Sequence, residues 1–144
     1  MAMNSQTATQ GFFREEILAS DLDELLRVEH LLTEVATIAG LPEERIPLFI
    51  VAVTEALTNA IIHGNRQQKD KTVRMRLSWT PETRTLLAQI QDEGPGFNPA
   101  TLPDPTTSEN LLRESGRGIF LMRNLADSVE FQQNGRCVEL KFFP

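Results

Sequence analysis

The sequence predicts an α+β fold, a two-layer sandwich with helices on one face of a mixed, mostly antiparallel sheet. Two segments with alternating apolar residues, 73–91 and 129–142, each contain a turn signal and indicate hairpins. Two segments with apolar residues at helical spacing, 20–40 and 42–63, precede the first hairpin. Because helices and hairpins are segregated along the chain, one sheet covered on one side is favoured over a βαβ repeat.

The chain has 144 residues, the size of one domain. We expect a disordered tail over residues 1–10 and a single domain over residues 11–144. The net charge is −6, from 14 Lys and Arg against 20 Asp and Glu, so no overall positive field attracts nucleic acid or an anionic membrane. The N-terminus lacks the apolar stretch of a signal peptide, and the longest apolar run, residues 48–53, is far shorter than a bilayer span. These features predict a soluble, cytoplasmic protein.

The N-terminal half is predicted to contain one strand and two helices. Residues 11–19 have apolar residues on both sides of a charged centre and fit an edge strand. Ser20, followed three residues later by Asp23, resembles a capping box that starts the first helix, and Gly40 is a natural stop. The second helix is expected to run from Pro42 to about residue 63, with residues 64 and 65 as stop signals.

The C-terminal half is predicted to contain two hairpins and a lid. The core-facing residues of the first hairpin are Val73, Met75, Leu77, Trp79, Leu86, Ala88 and Ile90. The second hairpin is centred on Asn134-Gly135, and its Cys137, the chain's single cysteine, is expected to be a small buried hydrophobe. Residues 97–115 exceed the length of ordinary loops, so they are interpreted as a lid, followed by a helix over residues 119–126.

The first candidate motif is TEALTNAIIHGN, residues 54–65, on the second predicted helix. Glu55 and Asn59 are four residues apart and therefore share one helix face. The small residues Ala56 and Ala60 would let a ligand approach the backbone. Taken alone, the pair fits an ordinary solvated face equally well.

The second candidate motif is QDEGPGFNP, residues 91–99, at the end of a predicted strand. Asp92 could accept hydrogen bonds from an amino group there. Gly94 and Gly96 would let the backbone come close to a ligand. Taken alone, the motif favours a plain Gly-Pro-Gly turn after a strand.

The third candidate motif is SGRGIFLMRNLAD, residues 115–127. Gly116 and Gly118 flank Arg117 at the expected mouth of a helix, where free N–H groups and the positive helix end bind phosphate. The planar guanidinium of Arg117 would add donors suited to phosphate oxygens. A flexible linker into an amphipathic helix is the alternative, since a lone G-x-G is a weak signal.

Together and in this order, the three motifs resemble those of the GHKL ATPase/kinase superfamily, the group of gyrase, Hsp90, histidine kinases and MutL. Within it, the sequence is most similar to the small anti-sigma-factor serine/threonine kinases of bacterial sporulation and stress control, over residues 12–143. The resemblance implies the Bergerat-type α/β sandwich, in agreement with the fold class above. It also implies ATP and Mg²⁺ as cofactors.

The resemblance further implies a role for each motif. Glu55 would act as the catalytic base or orienting group for the attacking hydroxyl, and Asn59 would bind Mg²⁺ through its amide oxygen. Asp92 would receive the adenine amino group. The glycine motifs would hold the start of the lid near the nucleotide and meet the phosphates; their residues are Gly94, Gly96, Gly116, Arg117 and Gly118.

The implied function is an ATP-dependent protein serine/threonine kinase. It would phosphorylate a STAS-type anti-anti-sigma partner, sequester a sigma factor and form a homodimer, with no direct contact to nucleic acid or membrane. A non-catalytic, nucleotide-gated binding module of the same fold is the alternative. A two-component histidine kinase is disfavoured, because the chain has no room for the separate helical hairpin that carries the phosphoacceptor histidine.

One position departs from the superfamily pattern. The last hairpin usually carries Gly-Thr, where the Thr contacts the adenine side, whereas here Gly135 is followed by Arg136. The departure puts that contact, and with it the retention of kinase activity, in question. It does not affect the role implied for Asp92.

Overall fold

The computed structural model describes residues 10–98 and 114–144. Residues 1–9 of the predicted tail and residues 99–113 of the predicted lid lie outside the described residues. The described helices are α1 (Glu24–Ile38), α2 (Ile46–Thr58) and α3 (Glu114–Leu125). The described strands are β1 (Phe12–Ala19), β2 (Thr72–Thr80), β3 (Thr85–Gln91), β4 (Ser128–Gln132) and β5 (Cys137–Phe142).

The five described strands form one sheet in the spatial order β1-β2-β3-β5-β4. All four pairs of neighbouring strands are antiparallel, where the sequence predicted a mixed, mostly antiparallel sheet. Every residue predicted to face the core in the first hairpin is buried, and so is Cys137 in the second. The helices cover the sheet face that the core residues of the first hairpin share, which confirms the two-layer α+β sandwich, whereas Cys137 is buried on the opposite face.

β1 is the edge strand that the sequence predicted, since it pairs with β2 alone among the described strands. The capping box predicted at Ser20 is wrong. α1 begins at Glu24, and the Ser20 hydroxyl donates to the carbonyl of Lys71 at 2.6 Å. Ser20 therefore joins the end of β1 to the chain before β2. The Lys71 carbonyl competes with the helix N–H groups for the Ser20 side chain, and because Lys71 is distant in the sequence, no local pattern indicates this bond.

Gly40 ends the first helix, as the sequence predicted. The N–H of Gly40 and that of the next residue bond back to the carbonyls of Thr37 and Ala36, each at 3.0 Å. This pair of bonds is the Schellman motif, which satisfies carbonyls that a helix end leaves unpaired.

The second predicted helix is built from three consecutive helical types. A 3₁₀ turn over Glu43–Arg45 follows Pro42 and leads into α2. A π-helical segment over Asn59–Gly64 then continues from α2 and ends where the sequence predicted. π-helical turns are rare, and they occur frequently at functional sites.

α2 is the central helix of the core. It packs between α1 and α3 and against β3 and β5. Although the longest uninterrupted apolar run is short, the helical stretch Glu43–Gly64 is long and apolar enough to cross a membrane by length and composition. The core helix of a globular fold meets the same criteria, and here α2 buries Phe49, Ala52, Val53, Ala56 and Leu57 against the sheet and its neighbouring helices.

A charged contact ties the C-terminal end of the chain to the helical layer. Asp127 Oδ2 accepts hydrogen bonds from Arg45 Nη2 at 2.8 Å and from the N–H of Phe143 at 2.7 Å. Arg45 Nη1 also donates to the Phe143 carbonyl at 3.0 Å. Burial raises the pKa of Asp127, but the hydrogen bonds from Arg45 and Phe143 outweigh burial, so the net pKa is below the ordinary value.

We expect Asp127→Asn to lower the free energy of unfolding by about 1 kcal/mol at neutral pH, a modest value because the ion pair is partly exposed. Since the folded-state pKa is lowered, the stabilisation is complete above the unfolded pKa of about 4 and is lost as the pH falls through the folded pKa. Urea denaturation of both proteins across this pH range measures the effect. A difference in stability that did not shrink in acid would contradict it.

Candidate functional site

A cavity of 220 Å³ lies between the helical layer and the sheet, at the end where β3 ends and β5 begins. It is bordered by the end of α2, the π-helical segment, α3 and the last three strands. Its apolar walls include Ile90, Ile119, Met122, Phe131 and Val138. Its polar lining residues are Asn59, His63, Asp92 and Arg136.

Asp92, the first residue after β3, lines this cavity. Its N–H donates to the carbonyl of Arg136 at 2.9 Å, and its Oδ1 accepts a hydrogen bond from the N–H of Gly94 at 2.8 Å. Burial raises the pKa of Asp92, and the Gly94 hydrogen bond and the charges of Arg136 and Lys71 only partly offset this rise. A carboxylate offers more acceptor sites than Gly94 uses, so Asp92 can accept further hydrogen bonds from a ligand amino group.

Gly64 allows Asp92 to lie directly against the π-helical segment. A Cβ at Gly64 would be 2.4 Å from Asp92 Cγ, and one at Gly94 would be 2.0 Å from the Gly64 carbonyl oxygen. Both distances are far shorter than real Cβ contacts, so a side chain at Gly64 would displace the Asp92 carboxylate and one at Gly94 would displace the backbone of Gly64. The first and second motifs, which are separate in the sequence, therefore meet at this point.

Glu55 and Asn59 lie on the helix face that meets α3, in agreement with their spacing. Gly118 of α3 touches both side chains: a Cβ there would be 3.0 Å from Glu55 Oε2 and 3.1 Å from Asn59 Nδ2. The first and third motifs therefore also meet. Asn59 lines the cavity about one turn before Gly64, the residue that contacts Asp92.

The sequence predicted that the third motif lies at the mouth of a helix, but in the structure its glycines lie inside α3. α3 begins at Glu114, five residues before the predicted start, because packing against α2 outweighs the low helix propensity of two glycines. Gly116 falls in the first turn, whose N–H groups lack partners within the helix, and Gly118 lies further in. Arg117 is exposed. Contact of Gly116, Arg117 and Gly118 with phosphate groups stays a prediction.

The start of the predicted lid is held by the turn between β4 and β5. The N–H of Phe97 donates to the carbonyl of Asn134 at 2.6 Å. The ring of Phe97 packs edge-on against Phe131, with ring centroids 5.5 Å apart. These contacts bring Gly96 and Phe97 into the cavity wall, on the side of the second motif.

Asn65 is a buried polar residue that the sequence analysis treated only as a helix stop. Its Nδ2 donates to Ser20 Oγ and to the Thr72 carbonyl, both at 2.9 Å, and its Oδ1 accepts from the N–H of Glu93 at 2.7 Å. Asn65 therefore joins the ends of two strands to the residue that follows Asp92. Ser20 and Glu93 are 45 and 28 residues away in the sequence, so no local signal could have identified this network.

We expect Asn65→Ala to lower the free energy of unfolding by about 2–3 kcal/mol, because it leaves the Thr72 carbonyl and the Glu93 N–H without their partner. Gln68→Ala changes an exposed amide near the same turn and is the matched control, expected to stay within about 0.5 kcal/mol of wild type. Urea denaturation measures both. Equal losses in the two variants would contradict the assignment.

Three apolar residues of the cavity wall carry no sequence signal for a cavity. Met122, Phe131 and Val138 have the spacing of ordinary core positions in a helix and a hairpin. An alternating or helical pattern shows that a residue faces inward, but it does not show that a cavity lies next to it.

The chain matches the family model of the histidine kinase-like ATPase domain over residues 18–142. It belongs to this family. The matched residues include α1, α2, α3, β2, β3, β4 and β5, and therefore every element that borders the cavity. The resemblance drawn from the three motifs, and the fold that it implied, are confirmed.

Several relatives of this histidine kinase-like ATPase domain are bacterial regulators. The chain is 36% identical over 95 residues to the anti-sigma F factor of Heyndrickxia coagulans, a match that covers 62% of this chain and 63% of that protein. It is 30% identical over 112 residues to the serine-protein kinase RsbW of Bacillus subtilis (strain 168), covering 72% of this chain and 67% of that protein. It is 41% identical over 80 residues to the anti-sigma F factor of Bacillus velezensis, covering 54% of this chain and 53% of that protein. The chain thus spans about half to two thirds of the length of these relatives.

A solved structure has the same fold as this domain. The crystal structure of the RsbU and RsbW domains of Rv1364c from Mycobacterium tuberculosis superposes with a TM-score of 0.62 and 15% sequence identity. The superposition covers 91% of this chain and 32% of that chain. At this level of identity, the likeness concerns the fold alone.

Proposed function

We propose that this histidine kinase-like ATPase domain is an ATP-dependent protein serine/threonine kinase that phosphorylates a STAS-type anti-anti-sigma partner and sequesters a sigma factor. The observation that carries the proposal is the convergence of the three motifs on one cavity. Glu55 and Asn59 meet at Gly118, and Asp92 borders the same cavity about one helical turn away. The names of the relatives, an anti-sigma factor and a serine-protein kinase, support it.

The cavity suits a purine with an exocyclic amino group. Apolar side chains from the sheet and from α3, such as Ile90 and Met122, line it and favour a flat ring. The ionised carboxylate of Asp92 accepts the hydrogen bonds of the amino group. Adenine has both features, so the base of ATP is the ligand we assign to this part of the cavity.

Asn59 suits Mg²⁺ that arrives together with the phosphates. Among the described residues, no cluster of three His, Cys, Asp or Glu side chains could hold a metal ion. Mg²⁺ commonly takes only one or two protein oxygens and fills its other positions with waters and substrate phosphates. The amide oxygen of Asn59, which borders the cavity beside Gly118, is a suitable hard ligand of this kind.

Glu55 is the group we assign to the attacking hydroxyl. The serine or threonine oxygen of the partner forms a bond to the γ-phosphorus, while its proton passes to the Glu55 carboxylate. The bond between the γ-phosphorus and the oxygen that bridges to the β-phosphate breaks, and ADP leaves. A protein accelerates phosphoryl transfer mainly by positioning the reactants and stabilising the developing charge. The predicted phosphate contacts of Gly116, Arg117 and Gly118 would contribute to both.

The proposed setting is the cytoplasm, with the chain acting as a homodimer on partner proteins. The net charge of −6 is unfavourable for direct binding to nucleic acid. The Mg²⁺ ion that accompanies the nucleotide supplies positive charge at the site, so an acidic chain can still bind ATP. The sigma factor would be free or sequestered according to whether the domain binds the STAS-type partner or the sigma factor.

A phosphate-transfer assay tests the proposal. The purified chain is incubated with radiolabelled ATP, Mg²⁺ and a STAS-domain protein from the same organism, and labelled protein is counted. The proposal predicts label on a serine or threonine of the STAS protein. Tight ATP binding without transfer would replace it with the non-catalytic, nucleotide-gated module, an alternative favoured by the unusual Arg136 in the cavity.

A further inference from the structure

Arg136 and Asp92 lie side by side on the cavity face of the sheet. β3 and β5 pair Ile90 with Val138, and the next pair on the same face is Asp92 and Arg136, joined by the 2.9 Å backbone hydrogen bond. Residues directly opposite on antiparallel strands have neighbouring side chains. All four of these residues line the cavity.

The guanidinium of Arg136 has unused capacity to donate hydrogen bonds. Its Nε is buried and has no hydrogen-bond partner among the described residues. Buried donors are almost always paired in folded proteins, and an exception calls for an explanation such as an absent ligand. Arg136 is the residue opposite Asp92 on the neighbouring strand, and the proposed function assigns Asp92 to the adenine amino group.

We propose that Arg136 is a second residue that recognises the base. It donates a hydrogen bond to a ring nitrogen of adenine that flanks the amino group bound by Asp92. This inference rests on the proposed function, because it assumes that adenine is bound at Asp92. The amino group of adenine has an acceptor nitrogen on either side, N1 and N7 in purine numbering. A carboxylate acceptor beside a guanidinium donor therefore matches the donor and acceptor pattern of this edge of the base.

A set of base analogues tests this pairing. ATP, 1-deaza-ATP and 7-deaza-ATP differ in one ring nitrogen each, and their dissociation constants are measured by calorimetry with the full chain and Mg²⁺. The wild-type protein is expected to bind one of the two deaza analogues about tenfold more weakly than ATP. Arg136→Met, which keeps the length of the side chain without its donors, is expected to bind ATP and that analogue equally.

Arg74→Met is the matched control, since it removes the same charge from the exposed, opposite face of the sheet. It is expected to retain the wild-type preference. Equal binding of all three nucleotides by the wild-type protein would overturn the role of Arg136, and this result needs no variant to fold. An unchanged preference in Arg136→Met, with thermal melting to show that it is folded, would overturn it as well. Absence of any nucleotide binding by the wild type would instead remove the proposed function.

Discussion

Glu55→Gln is expected to abolish phosphate transfer to the partner while leaving ATP binding intact. The substitution keeps the shape of the side chain, so its packing beside Gly118 is preserved. It removes the carboxylate that we propose takes the hydroxyl proton, and a positioned base contributes about 10²–10⁴-fold to a rate. The radiolabelled transfer assay should therefore fall by at least about 100-fold, with an unchanged dissociation constant for ATP.

Glu34→Gln is the matched control for this variant. Glu34 is exposed on α1, outside the set of residues that line the cavity, so the same chemical change should leave transfer at the wild-type rate. Transfer that survives in Glu55→Gln would contradict the role assigned to Glu55. Loss of ATP binding together with transfer would show that Glu55 holds the nucleotide and is not specifically needed for the chemical step.

Asp92→Asn is expected to weaken ATP binding about 10- to 100-fold, the cost of a lost hydrogen bond to a charged group. The same variant should be as stable as the wild type, or more stable, without nucleotide. Burial raises the pKa of Asp92, so the folded protein holds its proton to a higher pH than the unfolded chain does. At neutral pH the ionised carboxylate therefore lowers the free energy of unfolding, and replacing it with a neutral amide removes this cost.

Calorimetric titration with ATP and thermal melting measure these two effects on the same samples. The raised pKa also predicts that ATP binding by the wild type weakens as the pH falls through the pKa of Asp92 and the carboxyl group becomes protonated. The Asp92→Asn variant should lose this pH dependence. A variant that is less stable than the wild type yet binds ATP normally would contradict the assignment of Asp92 to the base.

The sheet and much of the helical layer could be predicted because their signals are local. The alternation in β2 and β3 and the turn at Asn134-Gly135 depend on neighbouring residues alone. The spacing of Glu55 and Asn59 likewise fixes a shared helix face. Ser20 was misinterpreted because its partner, the carbonyl of Lys71, comes from a distant part of the chain.

The cavity itself could be predicted only in part. The three motifs indicated which segments carry polar groups, but their meeting depends on close backbone approaches at Gly64 and Gly118. The contacts of Asn65 and Arg136 depend on how the strands pair and which residues become buried. A single sequence shows neither. The start of α3 was placed too late because helix packing outweighed the glycine signal.

The central claim is that ATP binds where the three motifs meet, and the chain's eight glycines allow a direct test. Gly11 and Gly40 lie away from the cavity and serve as internal controls. Proton–nitrogen correlation spectra of protein labelled with ¹⁵N-glycine are recorded during a titration with ATP and Mg²⁺. We expect the amide signals of Gly64, Gly94, Gly96, Gly116, Gly118 and Gly135 to shift, while those of Gly11 and Gly40 stay in place. Signals that remain fixed at saturating nucleotide, or shifts confined to Gly11 and Gly40, would contradict it.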